Sequence, residues 1–186
     1  ATSYNNIGSV YYSQGDYVQA LEMYQQSLKI YLAIFGETHP AVATSYNNIG
    51  GAYSSQGDYV KALEMYQQSL KIRLAIFGEN HPDVATSYNN IGSVYYSQGD
   101  YVKALEMYQR SLKIYLAIFG ETHPDVATSY NNIGGVYKSQ GDYVKALEMY
   151  QQSLKINLAI FGETHPAVAT SYNNIRSEER RVGEEC

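Results

Sequence analysis

The string ATSYNNIG begins at Ala1 and returns at Ala43, Ala85 and Ala127, and ATSYNNI starts again at Ala169, always 42 residues apart. A fixed period of this size marks a solenoid, in which each unit is one supersecondary element that buries its apolar face against its neighbours. The chain of 186 residues therefore reads as one array of four units, residues 1–42, 43–84, 85–126 and 127–168, with a partial fifth over 169–175. Stacked units present extended surfaces, so the repeat points to a binding scaffold rather than a catalyst.

Each unit contains two helical patterns. Tyr4, Ile7, Val10 and Tyr11 recur at the i, i+3, i+4, i+7 spacing that makes one buried stripe on a helix. Gly15-Asp16 interrupts it, glycine closing one helix and aspartate capping the next. A second helix of roughly 20 residues follows, with Tyr17, Ala20, Leu21, Tyr24 and Leu28 among its apolar positions, and ends at Gly36. Thr38 is the expected N-cap of the next unit, with Pro40 tolerated in its first turn. Gly8 lies inside the first helix, where glycine costs about 1 kcal/mol relative to alanine. Its recurrence implies close approach of a facing helix, with Ala20 as the matching small residue.

These positions carry a family likeness. Tyr4, Ile7, Gly8, Tyr11, Ala20 and Tyr24, with small Ser27, resemble the tetratricopeptide repeat. Leu32 stands where that motif ends in proline. The eight extra residues per unit, with YNNIG, QGDY, ALEMY and HPDVA, resemble the long variant found in kinesin light chains. The resemblance covers Ala1 to Ile175 and implies an all-α, right-handed superhelical solenoid of antiparallel helix pairs. It also implies a concave inner surface, lined by one stripe of each first helix, that holds an extended peptide.

Thirty-four of the 42 positions are identical in all four units and eight vary: 9, 10, 12, 19, 26, 31, 38 and 41. Positions 2, 5, 9 and 12 share one face of the first helix, turned away from the 4, 7, 11 stripe. That face carries Asn5 and Asn6, Asn47 and Asn48, Asn89 and Asn90, and Asn131 and Asn132. It also carries Ser9, Gly51, Ser93 and Gly135 at position 9, and Tyr12, Ser54, Tyr96 and Lys138 at position 12. A carboxamide offers a donor and an acceptor, so such rows can bridge the C=O and N–H groups of an extended peptide. With first helices about 10 Å apart, Tyr12 and Tyr96 would stand about 20 Å apart as aromatic anchors. The alternative is a merely solvated polar face. Lys138 is the only basic residue of the stripe, which disfavours capture of a C-terminal carboxylate or of an acidic cargo peptide.

Composition closes other routes. Charged residues make up 17% of the chain, with a net charge of −5 and no Lys/Arg stripe to meet phosphates, so nucleic acid is not expected. No run of 18 apolar residues and no leader pattern is visible, so no membrane partner is expected. His39, His81, His123 and His165 recur singly, about 10 Å apart by stacking, too far to share a metal whose His ligands must lie near 2 Å from it. They are expected to set the turn. Identical repetition of Ser, His and Asp does not build one converging catalytic cluster. The chain is thus expected to be a non-enzymatic protein-interaction module without cofactor or metal. A regulatory arm of a larger signalling NTPase or protease, and a passive spacer, are the competing readings. The only cysteine is Cys186, which fits a reducing, cytoplasmic setting.

Residues 176–186, RSEERRVGEEC, belong to no repeat. They resemble, with one change at Glu184, the translation of a sequencing-library adaptor. An appended artefactual tail, disordered or only loosely helical, is the expectation, and a polar capping helix is the alternative.

Overall fold

The computed structural model describes residues 1–184, and the side chains of residues 1–181. Every element in this span is a helix: α1 (Thr2–Ser13), α2 (Tyr17–Phe35), α3 (Pro40–Gln56), α4 (Tyr59–Phe77), α5 (Pro82–Ser97), α6 (Tyr101–Phe119), α7 (Pro124–Ser139), α8 (Tyr143–Phe161) and α9 (Pro166–Glu184). The chain divides into two compact bodies, Ala1–Val94 and the residues from Tyr95 onward. Each body has its own core.

Local chemistry sets the boundaries. Gly15, with φ 81°, takes the left-handed conformation that lets the chain reverse. Asp16 then caps α2, its Oδ1 accepting from Gln19 N–H at 3.2 Å. At the other end Gly36, with φ 74°, donates to the Leu32 carbonyl. The cap of α3 is His39 and not Thr38: Nδ1 accepts from Ala41 N–H at 3.1 Å, while Thr38 is exposed. His81, His123 and His165 repeat that bond to residues 83, 125 and 167 at 3.2 Å. Each imidazole also stacks on the preceding phenylalanine; Phe35 and His39 have centroids 4.0 Å apart and planes 12° apart. The recurrent histidine therefore does set the turn, through its ring.

In the first body, Ala20, Leu21 and Tyr24 of α2 pack with Ile49 and Ala52 of α3. In the second, Ala104 and Tyr108 of α6 pack with Ile133 and Val136 of α7, and Ala146 and Tyr150 of α8 with Ile175 of α9. A second helix is thus the bed for the next first helix. This corrects the expected stripe in α1, where Tyr4, Ile7 and Val10 are 40%, 45% and 57% exposed, whereas Ile49 and Ala52 are buried. The stripe is closed by the preceding pair's second helix, and among the described residues none precedes α1. Full burial of one isoleucine is worth about 1.5–3 kcal/mol.

The recurrent helical glycine is explained by a ring. A Cβ on Gly8 would lie 2.7 Å from Tyr24 ring carbons and 3.3 Å from the Ala20 carbonyl oxygen. Gly50 and Gly134 face Tyr66 and Tyr150 at 2.9 and 2.8 Å.

The tail departs from the expectation of disorder. Residues 176–184 continue α9. Ser171 and Ile175 dock on α8, and the polar residues after Ile175 extend the helix in the repeat register. Cys186 lies outside the described residues.

Candidate peptide-binding surface

The position-5 and position-6 asparagines are brought together, but across neighbouring units. Asn48 Nδ2 donates to Asn5 Oδ1, Asn90 Nδ2 to Asn47 Oδ1, and Asn174 Nδ2 to Asn131 Oδ1, each at 2.9 Å. Asn89, Asn132 and Ser93 are also engaged. Each bond consumes one acceptor site of the first amide and one hydrogen of the second. The donor amide retains its Oδ1 and a further N–H, and the acceptor amide both its N–H groups, so the row still offers both polarities. The cross-links fix the orientation of every carboxamide they join.

The aromatic residues at position 12 are held in the same way. Tyr12 shares a hydrogen bond of 2.9 Å with Ser55, and Tyr96 shares one of 2.9 Å with Ser139. Their rings lie tilted against Tyr17 and Tyr101 at 5.4 and 5.8 Å. Each is still 37% exposed. In the first body, Ser9, Tyr12, Asn47 and Asn48 line one hollow together with Gly51, Tyr24 and Tyr66. Ser54 is half-buried nearby in sequence on α3 but does not line that hollow.

Tyr24 and Tyr66 pack as core residues, and their hydroxyls reach the surface face. Tyr24 O–H donates to Ser9 Oγ at 3.3 Å, and Gly51, the counterpart of Ser9, leaves its space to the Tyr66 hydroxyl. Burial, with the Tyr12 phenol adding to it, pushes the Tyr66 hydroxyl up to about 12. The signal in the sequence was the Ser/Gly alternation at position 9.

Lys138 does not stand free on the face. Its Nζ lies 2.7 Å from Glu178 Oε1, an ion pair without the geometry of a directed hydrogen bond, and Arg181 is 3.9 Å from Oε2. Glu178 occupies repeat position 10, where Val94 and Val136 are buried, and is itself 0% exposed. Burial raises the Tyr150 hydroxyl to about 12, with the Glu178 carboxylate and Tyr96 as lesser causes. Among the described residues no group of three or more His, Cys, Asp or Glu is placed to hold a metal, and no helix is long and apolar enough to cross a membrane.

Paired helices, ring-against-glycine contacts and first-helix rows of polar side chains define a helical-repeat interaction fold. The tetratricopeptide repeat profile matches residues 1–75, 56–117, 83–159 and 125–175, and the chain belongs to that family. Its repeating unit is 42 residues long. Among solved structures it is similar to BtubC (BKLC) from P. vanneervenii, with 24% identity, TM-score 0.84, and 95% of this chain and 70% of that one covered. It is also similar to a Podosopora anserina protein described as a putative kinesin light chain with nearly identical TPR-like repeats, at 21% identity and TM-score 0.83, covering 98% and 87%. A singly substituted form of that protein matches at 21% and 0.84, covering 98% and 86%. None of the curated proteins searched matches. The fold is one that generally mediates protein–protein interaction.

Proposed function

We propose that the chain binds an extended peptide segment of a partner protein along the position 2, 5, 9 and 12 face of its first helices. The observation that carries this reading is the set of cross-linked asparagine pairs, two in the first body and one in the second. Three amide pairs held at 2.9 Å present residual donors and acceptors in fixed orientation, so little rotamer entropy is lost when they meet a peptide backbone. Tyr12 in the first body and Tyr96 in the second are each a half-exposed ring of the kind that anchors apolar or aromatic side chains. The face is neutral, since Lys138 is matched by Glu178, which favours an uncharged segment over an acidic one.

The test is a library of random dodecapeptides panned on the full chain. Selected peptides are expected to lose at least about tenfold in affinity, 1.4 kcal/mol, toward Asn47→Ala/Asn131→Ala and toward Tyr12→Ala/Tyr96→Ala. Circular dichroism would show that both variants keep their helices. If no peptide is enriched, or the enriched ones bind both variants as they bind the parent, the reading is wrong.

A further inference from the structure

We infer that the space beside Asn157 is a side-chain pocket for a phenol, the head group of a partner's tyrosine; this deepens the peptide reading above. The argument is a comparison of two copies of one cavity wall. In the last unit a hollow of about 280 Å³, open to solvent, is lined by Thr128, Asn131, Phe161, His165, Thr170 and Ser171 around Asn157. The first unit has the same residue types at the same repeat positions: Thr2, Asn5, Phe35, His39, Thr44 and Ser45. There position 31 is Tyr31, and the protein fills the space itself. The Tyr31 ring stacks on Phe35 at 5.9 Å and 24°, packs against the cluster of Val42, Ala43 and Ile72, and shares a hydrogen bond of 3.1 Å with Thr2 Oγ1. Tyr115, also at position 31, is buried and stacks on Phe119 at 6.0 Å.

Asn157 shortens that side chain and leaves the wall standing. Phe161 and His165 keep their stack at 4.2 Å. Thr128 is the counterpart of the Tyr31 partner Thr2, and its own hydroxyl hydrogen goes to the Pro124 carbonyl in α7. Asn157 is 8% exposed and donates through Nδ2 to Ser171 Oγ at 3.3 Å. Among the described residues its Oδ1 has no donor. The wall is therefore rich in acceptors and carries an aromatic face, and the hollow has room for a single ring rather than a larger ligand. A phenol supplies one ring and one O–H donor. The hollow opens beside Asn131, one of the surface asparagines, so a peptide on that row could insert a tyrosine.

The probe is 4-methylphenol, titrated against the isotope-labelled full chain by NMR. Saturable shifts at Asn157, Thr128 and Thr170 are expected, with Kd about 1 mM for so small a ligand. Methylation of the hydroxyl, in 4-methylanisole, should weaken binding at least about fivefold, the order of one hydrogen bond. Asn157→Tyr should abolish the shifts, and Tyr31→Asn should create a second site reporting at Thr2 and Thr44. Absence of saturable shifts near Asn157, their persistence in Asn157→Tyr, or tighter binding of methylguanidine would overturn the assignment. The readout is separate from peptide selection: phenol binding without any selected peptide would sink the peptide reading alone, and the reverse would sink the pocket alone.

Discussion

Helices α3 and α9 begin with the same ten residues, PAVATSYNNI, over 40–49 and 166–175, and then diverge. Val42 and Val168, Ser45 and Ser171, and Ile49 and Ile175 are buried in both places. Ala43 and Tyr46 are buried and half-buried in α3, whereas Ala169 is exposed and Tyr172 is 50% exposed in α9. The first set meets the preceding second helix, and the second set meets a following one, which is α4 for α3 and has no counterpart for α9 among the described residues. One sequence thus separates the two interfaces of a repeat. Docking on the preceding pair is enough to order a first helix, and closure by its own partner is a further, distinct gain, as expected where each unit interacts only with its neighbours.

The largest effects should come from residues that require the following helix. At the eleventh position α3 has Gly50, whose missing Cβ would sit 2.9 Å from the Tyr66 ring, and α9 has Arg176, which is exposed. Gly50→Arg should cost about 3–5 kcal/mol in urea unfolding, since a cation would be forced into a packed, unpaired site. Arg176→Gly should cost only about 1 kcal/mol, the helix penalty of glycine, read as lost amide protection in α9. Equal losses at the two positions would show that the ring contact is not what selects glycine.

Next in size is the point where α9 departs from the repeat. Glu178 sits in an apolar position and is matched by Lys138, which is one-third exposed. Lys138→Met leaves buried Glu178 with only the more distant, half-exposed Arg181 at 3.9 Å and should lower the protection of α9 amides by about 3 kcal/mol. Glu178→Val releases Lys138 to water and restores the residue type of Val94 and Val136, so it should be neutral or stabilising by about 1 kcal/mol. If Lys138→Met leaves α9 protection unchanged, the ion pair does not hold the end of that helix.

Smaller again, and equal in the two contexts, should be the loss of the histidine caps. His39→Ala and His165→Ala each remove one acceptor for the first turn and should each cost about 1 kcal/mol by thermal unfolding and amide exchange. A larger loss in α3 than in α9 would mean the ring also supports the following helix pair.

This contrast also shows what the chain reveals before it folds. Helix pairs, the Gly15-Asp16 break and the close approach at Gly8 follow from spacing and residue size within one unit, and they were legible. Histidine as a cap was not, because its acceptor depends on ring orientation and tautomer, and Thr38 has the commoner capping side chain. The asparagine pairs join residues 43 apart, so a single unit read alone makes each amide look free for a ligand. The tail misled for a related reason. Its composition is that of a solvated segment, but the ten residues before it dock on α8 and carry the helix forward, which places Glu178 in the register of Val136. Asn157 stood among the varying positions, yet its meaning depends on the walls around it, which do not vary.

The smallest effect concerns the turn that leaves α3 and leads into α4, a connection for which α9 has no counterpart among the described residues. Asp58 caps α4 by accepting from Lys61 N–H at 3.2 Å and also pairs with Lys61 Nζ at 2.7 Å. The side-chain hydrogen bond from Lys61, helped by the backbone one, holds the Asp58 carboxyl below its ordinary 3.8, and the Asp58 carboxylate holds the Lys61 ammonium above 10.5. A depressed carboxylate stabilises the fold above its unfolded value and stops doing so as pH falls through the lower folded value. A raised ammonium stabilises it below 10.5 and stops as pH rises through the higher folded value. The contribution should therefore be flat across neutral pH and fade at both extremes, with Asp100–Lys103 and Asp142–Lys145 behaving alike. All three pairs are solvent-exposed, so salt should weaken them. Carboxyl NMR titration should place the Asp58, Asp100 and Asp142 midpoints below 3.8, and Lys61→Gln should move that of Asp58 upward. A midpoint for Asp58 at or above the ordinary value would show that the ion pair does not persist in water, leaving the cap to the backbone bond alone.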